Sequence, residues 1–279
     1  MKLYHTPDGI VLVTEEAAYR LDETLDDLLS RDDLAATLRE RMATSPPLPA
    51  VPDLSTLLAP IGTQELWGTG VTYYRSREAR IAEAHDTVGS DFYDRVYHAE
   101  RPEIFFKAPA SRVVGPGGTL RLRRDSSWVV PEPELTLVLS ASGAVVGYTI
   151  ANDLSCRDIE AENPLYLPQA KTYDACAGLG PCILVSDEPL SRETIIELEI
   201  RREDSVVFSG TTGLSQMKRE FSELAAYLFA ETSFPSGCFL MTGTGIVPPD
   251  DFTLLASDVV RITVAPIGTL ENRMSPGAG

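Results

Sequence analysis

After residue 63 the chain is dominated by short runs in which apolar and polar positions alternate, and a period of two predicts β-strands. Residues 1–20 alternate as well and predict two short strands around Asp8-Gly9, a hairpin turn signal. Leu25, Leu28 and Leu29, then Leu34, Leu38 and Met42, have helical spacing, with Asp32 or Asp33 placed to cap the second helix. The run 45–52 carries Pro46, Pro47, Pro49 and Pro52 and predicts a stiff extended linker. It divides a small N-terminal α/β domain, residues 1–52, from a larger domain, residues 53–279. In the larger part, 64–71 predicts a strand ending in glycines that let backbone approach a ligand. Helices are expected over 73–84 and 91–99, then an aromatic strand over 101–107 with Glu103, Phe105 and Lys107 on one face. Residues 154–170 show no clean period and are expected to form a long functional loop before the apolar run 175–185. A hairpin turns at Glu203-Asp204. Met217, Phe221, Leu224 and Leu228 mark an amphipathic helix, and 237–241 and 258–264 complete the strands, the latter as the last. The fold class is therefore α+β, mainly β.

Between these elements, residues 131–153 hold the chain's most informative pattern. Two β-prone runs flank Ser142-Gly143, which predicts a hairpin. Glu132 and Glu134 point to one face of an extended strand. A two-residue loop at Ser142-Gly143 places Glu132 opposite Asp153, with Glu134 diagonal to it. Two readings fit three carboxylates gathered this way. One is a solvated acidic strand start; the other is a site for a divalent cation that relieves their repulsion, and oxygen ligands favour Mg²⁺, Mn²⁺ or Ca²⁺.

Composition narrows the function. A net charge of −17 leaves no basic footprint for nucleic acid or an anionic membrane. No apolar run reaches the roughly 18 residues of a membrane span. Met1 to His5 lack the apolar core of a signal peptide, which predicts a cytoplasmic protein. Lysine occurs only at 2, 107, 171 and 218, and the acidity fits either a salt-adapted surface or ordinary coding bias. Cys156, Cys176, Cys182 and Cys238 have no zinc-site spacing, and no nucleophile elbow or phosphate loop occurs. Lys171, at the end of the irregular segment, is either a surface residue or a group that holds substrate charge or acts as a base. The turn Thr242-Gly243-Thr244-Gly245 offers N–H groups and hydroxyls to an anion, or is a plain tight turn.

Taken together, Phe105-Phe106-Lys107, Glu132-Pro133-Glu134-Leu135, Gly147 to Asp153, Arg157-Asp158, Lys171, Gly180-Pro181 and the 242–245 turn resemble the fumarylacetoacetate hydrolase family, in order and spacing, across about residues 63–270. The resemblance implies a mixed β-sandwich roll in which Glu132, Glu134 and Asp153 bind Mg²⁺ or Mn²⁺. The blocks Trp67 to Gly70, Val96-Tyr97, Arg101 to Lys107, Trp128 to Leu135, Asp158 to Lys171 and Ile267 to Leu270 are most similar to family members that dehydrate 2-keto-3-deoxy sugar acids. Ser76 stands where the family's hydrolases carry a His, and a serine cannot serve as a general base near neutral pH.

What the resemblance implies for function is the dehydration of a 2-keto-3-deoxy-pentonate to 2,5-dioxopentanoate in non-phosphorylative pentose degradation. Glu103 and Lys171 are the implied acid and base, with their roles open. Thr244, Gly243, Lys171 and Tyr73 are implied to bind substrate, and Arg157 to orient Asp153 or balance charge. A homodimer or homotetramer acting on a small sugar acid is expected. The alternatives are another enzyme of the family, such as a diketo-acid carbon–carbon hydrolase or an oxaloacetate decarboxylase, and a non-catalytic sugar-acid-binding protein.

Overall fold

The computed structural model describes residues 1–51, 53–75 and 96–276. Pro52, Ser76, His85 and the greater part of the helices expected over 73–84 and 91–99 lie outside the described residues. The first hairpin forms as the alternation predicts: β1 (Lys2–Thr6) pairs antiparallel with β2 (Gly9–Val13) across Pro7-Asp8. A third strand that the pattern does not mark, β3 (Ala18–Leu21), extends it. The leucine spacing resolves into α1 (Leu25–Leu29) and α2 (Leu34–Thr44), whose leucines are buried. The expected aspartate cap does not form. Asp33 occupies the cap position of α2, but its carboxylate pairs with Arg31 at 3.0 Å, and Asp32 instead accepts from the Ser140 and Ser142 hydroxyls.

Further strands follow as β4 (Glu65–Gly70), β5 (Glu103–Pro109), β6 (Val113–Val114), β7 (Thr119–Leu122), β8 (Val129–Val130), β9 (Pro133–Leu139), β10 (Val145–Asp153), β11 (Ser155–Cys156), β12 (Ala177–Leu184), β13 (Ile195–Arg202), β14 (Ser205–Gly213), β15 (Cys238–Met241), β16 (Val259–Val264) and β17 (Gly268–Pro276). The architecture is α+β and mainly β. A ten-stranded sheet runs β3-β2-β1-β12-β10-β9-β15-β4-β5, and β6 also pairs with β12. Because β1 pairs with β12, the segment 1–52 adds its three strands to the edge of this sheet. A five-stranded sheet, β14-β13-β16-β17-β7, forms a second layer. The expectation that 258–264 ends the strands fails, since β17 follows β16 and pairs with it.

The large sheet is rolled. Ala177 of β12 pairs with Asp153 of β10 on one edge and with Val113 of β6 on the other. From β5 the chain reaches β6 through a single 3₁₀ turn, Ala110–Arg112. The path from β12 through β10, β9, β15, β4 and β5 therefore returns to β12. This curl brings β5 back toward β10, although three strands separate them in the order.

The segment 154–170 is not an irregular loop. It contains β11, α3 (Arg157–Glu162), a 3₁₀ turn and α4 (Leu167–Lys171). Asn163 accepts from the Leu165 N–H at 2.9 Å, and Pro164 supplies a preset φ at the first turn position. The helix expected from Met217 begins later, as α5 (Phe221–Phe229), where Glu220 and Glu223 form a reciprocal cap.

Candidate active site

The β9–β10 hairpin has the predicted register at its far end. Ala151 lies opposite Glu134, and the Asp153 N–H donates to the Glu132 carbonyl at 3.0 Å. It reaches that register by another route. The loop has three residues, closed by the Ser140 N–H donating to the Ala144 carbonyl at 2.9 Å, with Gly143 at φ +87°. A bulge between Val145 and Gly147 then takes up the extra residue.

The three carboxylates converge. Ligand oxygens of Glu132, Glu134 and Asp153 all lie within 4.8 Å of one another, and all three residues are buried. Burial raises the Glu134 carboxyl well above the usual carboxylate range, and the charges of Asp153 and Glu132 push the same way. Three buried cations answer this charge. The Lys171 Nζ donates to Glu132 Oε2 at 2.6 Å, Asp153 Oδ2 at 2.9 Å and Ser155 Oγ at 2.6 Å. Arg157 Nη2 donates to Glu132 Oε1 at 2.7 Å. Lys107 Nζ pairs with Asp153 Oδ1 and donates to the Leu154 carbonyl at 2.8 Å. The Arg157 contact with Glu132 fits the expected charge balance, while the Asp153 oxygens engage the two lysines.

A buried set of three carboxylates, one resisting ionisation because of its burial and the other two, fits a hard divalent cation such as Mg²⁺ or Mn²⁺. The solvated acidic strand start is excluded, since Glu132 is only 5% exposed and Asp153 not at all.

A cavity opens beside the triad, lined by Glu103 and Phe105 of β5, Arg157 and Glu160 of α3, Lys171, and Gly243 and Thr244. Gly70 of β4 also lines the cavity, as the expected backbone approach to a ligand requires, and Gly68 and Gly70 have a second role. A Cβ on Gly70 would fall 2.1 Å from Glu103 Oε2, and one on Gly68 2.5 Å from Phe105 Cζ. The bare strand makes room for the side chains that face the cavity. Gly70→Ala is therefore expected to displace the Glu103 carboxylate and lower kcat by about a hundredfold with the circular dichroism unchanged, because misplacement by about 1 Å can cost that much. An unchanged kcat would count against the catalytic role expected of Glu103.

The 242–245 turn does bind an anion, but that anion belongs to the chain: the Gly243 N–H donates to Glu134 Oε2. Gly243 stands at φ +86°, which suits glycine. The Thr244 hydroxyl accepts from the Ile246 N–H at 3.1 Å and lies at the cavity wall. Tyr73 lies behind this turn, fully buried, with Cδ1 2.7 Å from where a Gly245 Cβ would stand. Burial raises its hydroxyl pKa, and the Glu134 charge adds to that.

The sequence pattern does not mark Lys107, Phe105, Ser155 or Glu160 as site residues. Lys107 carries a signal, as one of the chain's few lysines on the same strand face as Glu103. Glu160 follows Arg157 by three, one face of a helix, but no helical period marks that segment.

Several known proteins resemble the chain closely. The family described as fumarylacetoacetate (FAA) hydrolase C-terminal matches residues 71–275. The 2-dehydro-3-deoxy-D-arabinonate dehydratase of Saccharolobus solfataricus is 47% identical over 216 residues, covering 76% of this chain and 72% of that protein. The probable 2-keto-3-deoxyxylonate dehydratase of Haloferax volcanii is 44% identical over 217 residues, covering 77% of this chain and 74% of the relative. A solved structure of 2-keto-3-deoxy-D-arabinonate dehydratase complexed with magnesium and 2,5-dioxopentanoate superposes with a TM-score of 0.85 at 35% identity, covering 100% of both chains. The rolled sheet, the buried triad and this extent of identity lead to one assignment: the chain belongs to the fumarylacetoacetate hydrolase family.

Proposed function

We propose that the protein is a Mg²⁺-dependent dehydratase that converts a 2-keto-3-deoxy-pentonate, the arabinonate or xylonate form, to 2,5-dioxopentanoate. The observation that carries the reading is the buried Glu132–Glu134–Asp153 cluster with Lys171 against it and Glu103 in the same cavity. Held by these three carboxylates, Mg²⁺ would supply Lewis acidity to a 2-keto acid and favour loss of a proton next to the keto group.

The remaining chemistry falls to the chain's own side chains. Elimination takes a proton from C3 and a hydroxyl from C4, which leave together as one water. Two groups are needed, one to take the proton and one to protonate the departing hydroxyl. Glu103 and Lys171 face one cavity and are assigned to this pair. Proton shifts then carry the C5 alcohol to the aldehyde oxidation level with no external oxidant. Thr244, at the cavity wall, is assigned to the carboxylate or keto end; Gly243, whose N–H is given to Glu134, lines the same wall, and Tyr73 supports their turn. The Phe105 ring lies 5.4 Å from Lys171 Nζ and shields it from solvent on that side.

The same reading makes the protein a cytoplasmic homodimer or homotetramer that binds neither nucleic acid nor membrane. No helix among the described residues is long and apolar enough to cross a membrane. A substrate panel tests the function. The 2-keto-3-deoxy-pentonates are expected to turn over, and acylpyruvates and oxaloacetate to be poor substrates. Preference for either of the latter would favour a hydrolase or decarboxylase and overturn the proposal.

A further inference from the structure

We infer that Lys107 is a positioning residue that fixes the carboxylate of Asp153 at the metal centre and ties the strand carrying Glu103 to it. The inference rests on the reading of Glu132, Glu134 and Asp153 as metal ligands. Lys107 is fully buried on β5, and Asp153 is fully buried on β10. β4, β15 and β9 lie between those strands in the sheet, so only the roll brings the two side chains together.

The two lysines on Asp153 differ in what they can reach. Lys171 Nζ holds Oδ2, also bonds Glu132 and Ser155, and lines the cavity. Lys107 Nζ holds Oδ1, bonds the Leu154 carbonyl next to it, and is not among the cavity-lining residues. Its flank is the Tyr173 ring, with the centroid 6.0 Å from Nζ. Lys107 is therefore placed to act through Asp153 rather than on a bound substrate. With Oδ1 ion-paired to Lys107 and the adjoining carbonyl bonded to the same ammonium, Oδ2 is the oxygen turned toward the triad, where it shares the Lys171 ammonium with Glu132. The same contact sets how far β5, which also carries Glu103, stands from the triad.

Without the ammonium, the Asp153 carboxylate is free to swing both oxygens to Lys171 and leave the triad. Loss of an outer partner of a metal ligand typically costs 10–100-fold in affinity. A mere counter-charge would behave in the opposite way: removing a cation beside the site would tighten divalent binding.

The test is a Mn²⁺ titration of the full chain, free of substrate, followed by electron paramagnetic resonance. Lys107→Met and Lys107→Gln are compared with wild type, and near-ultraviolet circular dichroism reports their folding. The expected result is Mn²⁺ affinity roughly 10–100-fold weaker in the folded variant. Unchanged or tighter binding overturns the inference while leaving the metal site standing. Unfolding of both variants also overturns it, because Lys107 would then be a folding residue. A wild-type protein that binds no Mn²⁺ would sink the metal reading itself and this inference with it.

Discussion

Lys171→Ala is expected to lower kcat by at least about a hundredfold, the lower end of what a positioned acid or base contributes. The Lys171 ammonium is 2% exposed and contacts two triad carboxylates and the Ser155 hydroxyl at 2.6–2.9 Å. It also lines the same cavity as Glu103. Truncation removes the proton carrier of the proposed mechanism and, in the same step, a counter-charge to Glu132 and Asp153. Breaking a buried ion pair by deleting one partner costs about 3–5 kcal/mol, so the variant must be assayed well below its unfolding temperature. Steady-state kcat and KM separate the two effects. A fall in kcat with the fold intact places Lys171 in proton transfer. A change in KM alone makes it a binding group, and unchanged kinetics remove it from the mechanism.

Glu132→Gln is expected to abolish Mg²⁺-dependent turnover while the chain still folds. The amide keeps the size of the side chain but removes its charge, and its NH₂ group cannot ligate a cation. Glu132 also accepts from Arg157 Nη2 at 2.7 Å and Lys171 Nζ at 2.6 Å, so the substitution leaves two buried cations short of a carboxylate. Thermal unfolding with and without Mg²⁺ reads the metal site independently of substrate. In the wild type, ligand at about 100 times Kd adds about 2.7 kcal/mol of stability. That increment should vanish in the variant. Full activity in Glu132→Gln would sink the assignment of the triad.

Much of this site is legible in the amino-acid sequence alone. The hairpin register can be read because strand side chains alternate with a strict period, and Glu132, Glu134 and Asp153 obey it. The turn is one residue longer than Ser142-Gly143 predicts, yet the bulge at Val145–Gly147 restores the pairing that the carboxylates need. Other features have no local signature. α3 and α4 are six and five residues long, too short for a helical period to emerge. β17 buries Leu270, Asn272 and Met274 in alternation, and the polar Asn272 hides the pattern. The partner of Lys107 cannot be read from its own strand, because the roll of the sheet supplies it. The family resemblance recovers the chemistry but not these contacts.

The most direct test of the central claim follows the product of a 2-keto-3-deoxy-pentonate by mass, with Mg²⁺ present and after chelation. The account predicts a five-carbon dioxo acid lighter than the substrate by one water, formed with Mg²⁺ and absent without it. Formation of the dioxo acid at full rate without a divalent ion, or cleavage of the carbon chain instead, would contradict it.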